Sequence, residues 1–327
     1  MVDILLASCN GETYLRTQIE SILRQREISW HLYARDDASR DGTREMLGKY
    51  QRRFPQKISL AWNPSPQGPG ENFFHLLSQS RGDYSCFSDQ DDVWHPEKLS
   101  LTLRFMKALE AAYPRQPVLV HSDLVLVDEN VRSLGNRMCD FTKLPWRGDV
   151  KLRLPFQGRK ADCYIRQSPW LLSRLLAENH ITGNTVMINK RLRELFRPPA
   201  RFCMHDWWLG LMGAALGVVG YIHVPLTAYR QHGANVLGVK SPLHPGQLVK
   251  RLTAGEAVRQ NYREMFAQAR CFYKMYGPLL QGTRQQRILR EFIAMEHGSR
   301  GDKIKSILQY RFVKSTWPLT LGEMLCL

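Results

Sequence analysis

The sequence predicts an α/β fold, a mostly parallel sheet flanked by helices, followed by a helical extension. Three observations carry this reading. Short apolar runs alternate with segments of 3.6-residue periodicity, the pattern of βαβ units joined by right-handed crossovers. Three of those runs end in polar or acidic turns, where a parallel sheet of this kind binds its ligands. From Gln247 onward only helical and basic patterns remain.

The first apolar run, Val2 to Ser8, reads as a strand, and the helix after it carries Leu15, Ile19, Ile22 and Leu23 on one face, with Asn10 placed to cap it. A second strand, Trp30 to Arg35, ends in Asp36-Asp37, and Asp41-Gly42-Thr43 opens a helix with Met46, Leu47, Tyr50 and Phe54 inward. Ile58 to Trp62 is a third strand. A Pro- and Gly-rich loop, Asn63 to Gly70, leads to a helix bearing Phe73, Phe74, Leu76 and Leu77. Tyr84 to Phe87 is the fourth strand, followed by a helix with Pro96 at its first position and Leu99, Leu103, Met106 and Leu109 inward. Strands are expected at Val118 to Val120, near Leu124 to Val127, at Val186 to Ile188 and at Val218 to His223; residues 141–170 read as irregular and basic, a loop or small excursion near the active-site edge. Trp207 to Val224 lacks charge and approaches membrane-span length, but four glycines, His223 and Pro225 make it a buried helix and strand. Helices are expected over Leu248 to Tyr276, Arg284 to Met295 and Lys303 to Phe312, which divides the chain into a domain at 1–240 and an extension at 241–327.

Seven scattered cysteines, with no C-x-x-C pair, argue against a disulfide framework or a zinc site and favour a reducing cytoplasm. No signal peptide is visible at the start. The net charge of +16 is uneven: residues 1–140 carry 17 Lys and Arg against 19 Asp and Glu, whereas residues 240–327 carry 15 against 6. A basic tail of this kind suits a polyanionic partner or an anionic membrane face.

The most informative stretch is Ser88-Asp89-Gln90-Asp91-Asp92-Val93-Trp94, three carboxylates in four positions directly after a buried strand. Carboxylates this close repel one another and resist burial, so they stay ionised together only beside solvent, basic groups or a cation. Hard oxygen ligands suit Mg²⁺ or Mn²⁺. The alternative is an acidic turn that caps the following helix. Neither a G-x-G-x-x-G nor a phosphate-loop motif occurs, so a dinucleotide fold and a P-loop are poorly supported.

Six motifs in order, ASCNGE at 7–12, RDDASRDGT at 35–43, SDQDDVWHPEK at 88–98, ITGNT at 181–185, MHDWW at 204–208 and YRQHG at 229–233, resemble bacterial family 2 glycosyltransferases. The resemblance is to the rhamnosyltransferase-like branch that builds O-antigen and capsule. It covers roughly residues 1–240 and implies the GT-A (Rossmann-like) fold and an inverting, metal-dependent sugar transfer. By that resemblance Asp37 would accept the N3–H of a uracil or thymine base. Ala7, Ser8, Asn10, Asp89, Asp92, Gly183 and Trp207 would line the donor site, Asp91 and His232 would hold Mg or Mn, and Asp206 would be the general base. Asp36 is read as structural. Cys9 stands where the family usually has an aromatic, and Ala38 where glycine is commoner. The implied partners are a nucleoside-diphosphate sugar, foremost dTDP-L-rhamnose with a UDP-hexose or UDP-galactofuranose as runner-up, and a lipid-linked saccharide acceptor. The implied place is the cytoplasm, peripheral on the inner face of the cell membrane. Two readings from other classes compete: a basic nucleic-acid-binding protein, which lacks any interleaved reading motif, and a non-catalytic scaffold.

Overall fold

The structure, a computed structural model, describes residues 1–142, 150–166, 170–233, 255–315 and 320. An eleven-stranded sheet has the order β3-β2-β1-β4-β10-β6-β11-β9-β8, with β5 paired to β11 and β7 to β6. The strands are β1 (Val2–Ser8), β2 (Trp30–Asp36), β3 (Ile58–Trp62), β4 (Tyr84–Ser88), β5 (Val93–Trp94), β6 (Val118–Val127), β7 (Ser133–Arg137), β8 (Val150–Phe156), β9 (Arg159–Ile165), β10 (Met187–Asn189) and β11 (Val218–Arg230). β3, β2, β1 and β4 pair in parallel, as do β6 and β11, while the short β10 runs antiparallel between β4 and β6. The expected mostly parallel sheet is therefore present, with one reversed strand at its centre.

Register explains why the polar strand ends converge. Ser8 lies opposite Asp36, and Leu6 lies opposite Ser88, so the residues after Ser88 emerge at the level of Ala7 and Ser8. All seven residues of β1 are buried, as expected of a strand covered on both faces. Asp3, the one charge among them, accepts hydrogen bonds from Ser80 Oγ, Arg81 N and Gly82 N at 2.7–2.8 Å, which ties β1 to the end of the third helix.

The helices are α1 (Leu15–Leu23), α2 (Thr43–Arg53), α3 (Pro69–Gln79), α4 (Lys98–Ala112), α5 (Met138–Thr142), α6 (Leu171–Ala177), α7 (Lys190–Leu195), α8 (His205–Leu216), α9 (Gly255–Tyr276), α10 (Arg284–Ala294) and α11 (Arg300–Tyr310). One sheet face packs on α1, α2 and α4 through Ile4, Leu6, Ile19, Leu47, Phe105 and Val120. The other face packs on α3, α6 and α8 through Leu5, Phe73, Phe87, Leu175 and Trp208. Among the described residues no helix is long and apolar enough to cross a membrane, and the uncharged stretch from Trp207 divides between α8 and β11.

Several expectations are corrected. Asn10 does not cap α1, whose N-cap is Tyr14; it adopts φ 48° and accepts from Arg40 N through Oδ1. Pro96 precedes α4, which starts at Lys98. The two strands expected at Val118 and Leu124 are one continuous β6, and β11 extends to Arg230. The basic segment 141–170 is no loop where it is described: β8 and β9 form a hairpin. Its pattern was hidden because the outward residues are basic. Lys151 and Arg153 pair with Asp162 across the strands, while Leu152, Leu154 and Phe156 turn inward. Gln157 and Gly158 both have positive φ, as a tight two-residue hairpin turn requires.

The boundary expected at residue 240 and the helical start at Leu248 lie outside the described residues. The helices beyond them share the α3, α6 and α8 core: Tyr262, Met265, Phe266 and Phe272 of α9 and Ile288, Leu289 and Phe292 of α10 are all buried in it. Phe272 is fully buried, with its ring 5.3 Å from that of Trp208. Truncating such a ring leaves a cavity, so Phe272→Ala is expected to lower stability by about 3–5 kcal/mol. Denaturant unfolding of the full chain measures this, and a loss within error of zero would detach α9 from the core.

Candidate active site

The site lies at the carboxyl edge of β1, β2 and β4. At its β2 side Asp36 is buried and engaged by Arg44 Nε at 2.7 Å, Ser39 N at 3.0 Å and the Ser39 and Ser8 hydroxyls, which makes it structural as expected. Asp37 is also buried. Its Oδ1 accepts from Asn63 Nδ2 at 2.6 Å and Gln67 N at 2.8 Å, and its Oδ2 from Gly68 N at 2.8 Å. The carboxylate thus holds the Pro- and Gly-rich loop closed against β2, with acceptor capacity left mainly on Oδ2. Between them and β1, Gln90 bridges the main chain of Cys9 in both directions, its Oε1 accepting from Cys9 N at 2.8 Å and its Nε2 donating to Cys9 O at 2.9 Å. Gly11 sits beneath that amide, where a Cβ would come within 2.2 Å of Gln90 Oε1. Ala38 has φ 58°, a left-handed conformation that glycine adopts more readily.

The acidic turn is fixed from behind. β5 follows it directly and pairs with β11 at Thr227 and Ala228, which brings Arg230 and His232 over the carboxylates. Asp91 Oδ2 lies 2.8 Å from His232 Nε2, and its carbonyl accepts from Arg230 Nε at 2.7 Å. The Arg230 guanidinium stacks on Tyr14 at 4.6 Å, and the His232 ring lies 4.7 Å from the same tyrosine. Asp92 is 0% exposed and faces inward, hydrogen-bonded by Asn184 Nδ2 and by Arg230 N at 3.2 Å. Burial, with the charges of Asp91 and Asp89, pushes its carboxyl well above the usual range. Asp89 is partly exposed, and burial together with Asp91 and Asp206 raises it to about 8.

Asp206 occupies the first turn of α8 and is 7% exposed. Its Oδ1 accepts from Asn179 Nδ2 at 2.9 Å and Trp207 N at 2.6 Å, and its Oδ2 from Gly183 N at 2.8 Å. Desolvation outweighs those three donors and lifts its carboxyl to about 6. Gly183 is obligatory for packing: a Cβ there would lie 2.5 Å from His205 Nε2 and 3.4 Å from Asp206 Oδ2. His205 itself is buried against Phe73, its ring stacked at 4.1 Å, and burial pushes it down to about 3.

The sequence-derived residues are therefore not equivalent. Asp89, Asp91, His232, Gly183 and Asp206 gather at one edge. Ala7 and Ser8 are buried strand residues beneath it, and Trp207 anchors α8 by donating its indole N–H to Leu175 O. Asn10 sits on the exposed rim, where its N donates to Ser39 Oγ at 2.8 Å. Gln90, Lys98, Asn184, Arg230 and Tyr14 were missed as site residues. The first four lie inside the motifs quoted above, so composition marked the region but not their directions.

The charge balance bears on a cation. Asp89, Asp91, Asp92 and Asp206 crowd one edge, yet the buried Lys98 and Arg230 direct hydrogen bonds to main-chain carbonyls. The Asp91 side chain, with His232 Nε2 at 2.8 Å and Asp89 nearby, offers the oxygen and imidazole donors that suit a divalent ion such as Mg²⁺ or Mn²⁺. Among the described residues, three potential ligand atoms within 4.8 Å of one another occur elsewhere, at Asp123, Cys139 and His223. There Asp123 is neutralised by Arg137 at 2.5 Å and the Cys139 thiol is pushed up to about 12, so that group is not suited to a metal.

Residues 3–142 match the model of the family described as glycosyl transferase family 2. The dTDP-rhamnosyl transferase RfbG of Shigella flexneri is 34% identical over 240 residues, 71% of this chain and 73% of that protein. The chain belongs to glycosyl transferase family 2. As a member of that family it also aligns with the uncharacterized protein Rv1520 of Mycobacterium tuberculosis, 27% identical over 237 residues. That match spans 72% of this chain and 60% of the relative's length. This family 2 chain is similar in fold to S. aureus TarS 1–349 in complex with UDP-GlcNAc, with a TM-score of 0.55, 12% identity and coverage of 99% and 90% of the two chains. The GT-A, Rossmann-like arrangement of the sheet is thereby shown.

Proposed function

We propose that this chain transfers a sugar from a nucleoside diphosphate to an acceptor hydroxyl with inversion, and that Asp206 is the base. The observation that carries the reading is a buried carboxylate, lifted to about 6 and held by three donors, facing the acidic edge at the carboxyl end of β4. At neutral pH Asp206 is ionised and can take the acceptor hydroxyl proton. The acceptor oxygen then bonds to the anomeric carbon, and the bond from that carbon to the diphosphate oxygen breaks, its electron pair leaving with the nucleotide. A divalent ion held by Asp91, with Asp89 and His232 beside it, would supply positive charge to the departing diphosphate. No side-chain nucleophile is needed. Asp37 Oδ2 would receive the N3–H of a uracil or thymine base, and Ser8, Asn10 and the Gln90 bridge would frame the nucleotide from the β1 side.

For the donor we favour dTDP-L-rhamnose, supported by the name of the Shigella flexneri relative, over a UDP-hexose or UDP-galactofuranose. Thermal-shift titration of a nucleotide-sugar panel with Mn²⁺ separates these, since a ligand bound by the native state raises its stability. The acceptor in this reading is a lipid-linked saccharide, and the chain works on the inner membrane face. The surface for that contact is α11 rather than α9. Of the α9 aromatics Tyr262, Phe266, Phe272 and Tyr276 are buried and Tyr273 half-buried, and Arg259, Arg263 and Arg270 pair with Glu256 or Glu296. On α11, Ile304 (39%) and Leu308 (56%) stand exposed one turn apart, with Lys305 exposed on the same helix and Arg311 exposed at its C-cap. Basic residues near anionic lipid each gain about 1 kcal/mol.

Four outcomes are expected. Asp206→Asn keeps donor affinity and lowers kcat by at least ~10²-fold. In the unaltered enzyme kcat falls with an acid limb near pH 6, because a carboxyl raised to about 6 is protonated there and a protonated base is inactive. A limb nearer pH 4, or collapse of donor binding in the variant, would assign Asp206 another role. Asp91→Asn is expected to abolish metal-dependent donor binding with the fold intact, read by calorimetry and circular dichroism; full activity in excess EDTA would remove the metal. Vesicle co-sedimentation at low salt should retain the chain on anionic but not neutral vesicles, and Ile304→Glu with Leu308→Glu should release it. Unchanged retention in that double variant sinks the α11 surface.

A further inference from the structure

Lys98 takes no part in the chemistry above, yet it is buried and lies behind it. Its Nζ donates to Asn184 O at 2.6 Å and to Thr227 Oγ1 at 2.7 Å, and it sits 4.6 Å from the centroid of the Trp94 ring. Those contacts account for its donors without any carboxylate among the hydrogen-bond acceptors. An ammonium is costly to bury, and an apolar side chain of equal length would avoid that cost, so its hydrogen bonds call for an explanation. The acceptor that matters is Asn184. Its carbonyl accepts a hydrogen bond from Lys98 Nζ while its side-chain amide donates to Asp92 Oδ2. One asparagine therefore stands between the buried Lys98 amine and the buried Asp92 carboxyl, as a bridging water would. The residue before it, Gly183, gives its N–H to Asp206 Oδ2. Thr227, the other acceptor, lies on β11 opposite Trp94, three residues before Arg230, whose N–H also reaches Asp92.

We propose that Lys98 is a positioning residue that acts through the Gly183–Asn184 turn, setting Asp206 on one side and Asp92 with the acidic turn on the other. The turn is a single buried 3-10 turn over Gly183–Thr185, closed within itself by Thr185 N and Oγ1 donating to Thr182 O and by Val186 N donating to Gly183 O, and a β-carbon at Gly183 would disrupt it. Lys98 pins its carbonyl from α4, so α4, β11 and the turn meet at one nitrogen. The inference rests on the glycosyl-transfer reading for its effect on rate, and on the hydrogen bonds alone for its effect on stability.

The test is a double-mutant cycle on the full chain with Lys98→Met, Asn184→Ala and both together. A misplaced base costs rate without removing the nucleotide site. Each single variant should therefore lose about 10- to 100-fold in kcat, while UDP or dTDP binding measured in EDTA stays within about 3-fold. Asn184→Ala keeps the main-chain carbonyl that Lys98 bonds and removes the amide to Asp92, so if Lys98 acts through that amide the double variant should be no more than about 3-fold slower than the worse single one. Multiplying losses, or a lower Tm with unchanged kcat, overturn the proposal. So does a lower Mn²⁺ requirement at unchanged kcat, which would make Lys98 a charge on the acidic turn and nothing more. Turnover by the unaltered enzyme in the same assay checks the glycosyl-transfer reading separately. The same cycle read by denaturant unfolding needs no turnover, and additive stability losses there refute the link whatever the activity. Should Lys98→Met fail to fold, Thr227→Val removes one hydrogen bond of Lys98 and leaves Asn184 in place. A lower kcat with unchanged metal-free nucleotide binding then supports the relay, and an unchanged kcat overturns it.

Discussion

Crowded negative charge at one sheet edge is the constraint on which the rest of this structure depends. Asp89, Asp91, Asp92 and Asp206 sit where burial makes ionisation expensive, and three of them are lifted well out of the ordinary carboxylate range as a result. A protein that needed only stability would replace some of them. Lys98 lies among them, and its charge eases the ionisation of Asp89 without undoing the upward shift. Arg230 and Lys98 brace the main chain around the acids, Arg230 through the carbonyls of Asp91 and Glu129 and Lys98 through that of Asn184. What remains is a cluster of fixed geometry with capacity to attract a cation and, in Asp206, to accept a proton.

The fold meets this constraint by returning the chain to the same edge several times. β1 and β4 deliver their ends side by side through parallel register, and β5 reverses at once to pair with β11. β11 is long and irregular, shifting register against β6 on both sides of Pro225 before it arrives at Arg230. α8 then supplies Asp206 from its first turn, where the helix dipole favours a carboxylate, although burial outweighs that preference. Each return costs conformational entropy that neighbouring core burial must offset. The large apolar faces of α3, α8 and α9 share one core with Ala7 and Phe87 of the site strands and provide it.

The basic half of the chain has a different physical character. Much of its charge is engaged locally: Lys151 and Arg153 flank Asp162 on the hairpin, and three α9 arginines pair with glutamates. Exposed pairs of this kind contribute little to stability. They do orient long side chains, and they leave α11 as an element with exposed apolar and basic residues together.

Periodicity and strand-end chemistry in the sequence were enough for the α/β class, the parallel half-sheet, the buried uncharged stretch at 207–224 and the regions that carry the site. Those features are local: an apolar face has to be buried, and an acidic turn cannot be hidden without compensation. The β8–β9 hairpin escaped because alternating basic residues look like a solvated loop until Asp162 is placed opposite them. The division among the acids could not be read either. Asp89, Asp91 and Asp92 are nearly adjacent in sequence, yet Asp91 meets His232, Asp92 is sealed against Asn184, and Asp89 stays at the edge. Those fates are set by residues 92 to 141 positions away, brought in by β5 pairing with β11 and by the turn before β10. Sequence therefore determined which residue types stand at the edge, and tertiary contact decided which of them face solvent, because burial and hydrogen-bond direction are properties of the packed neighbours.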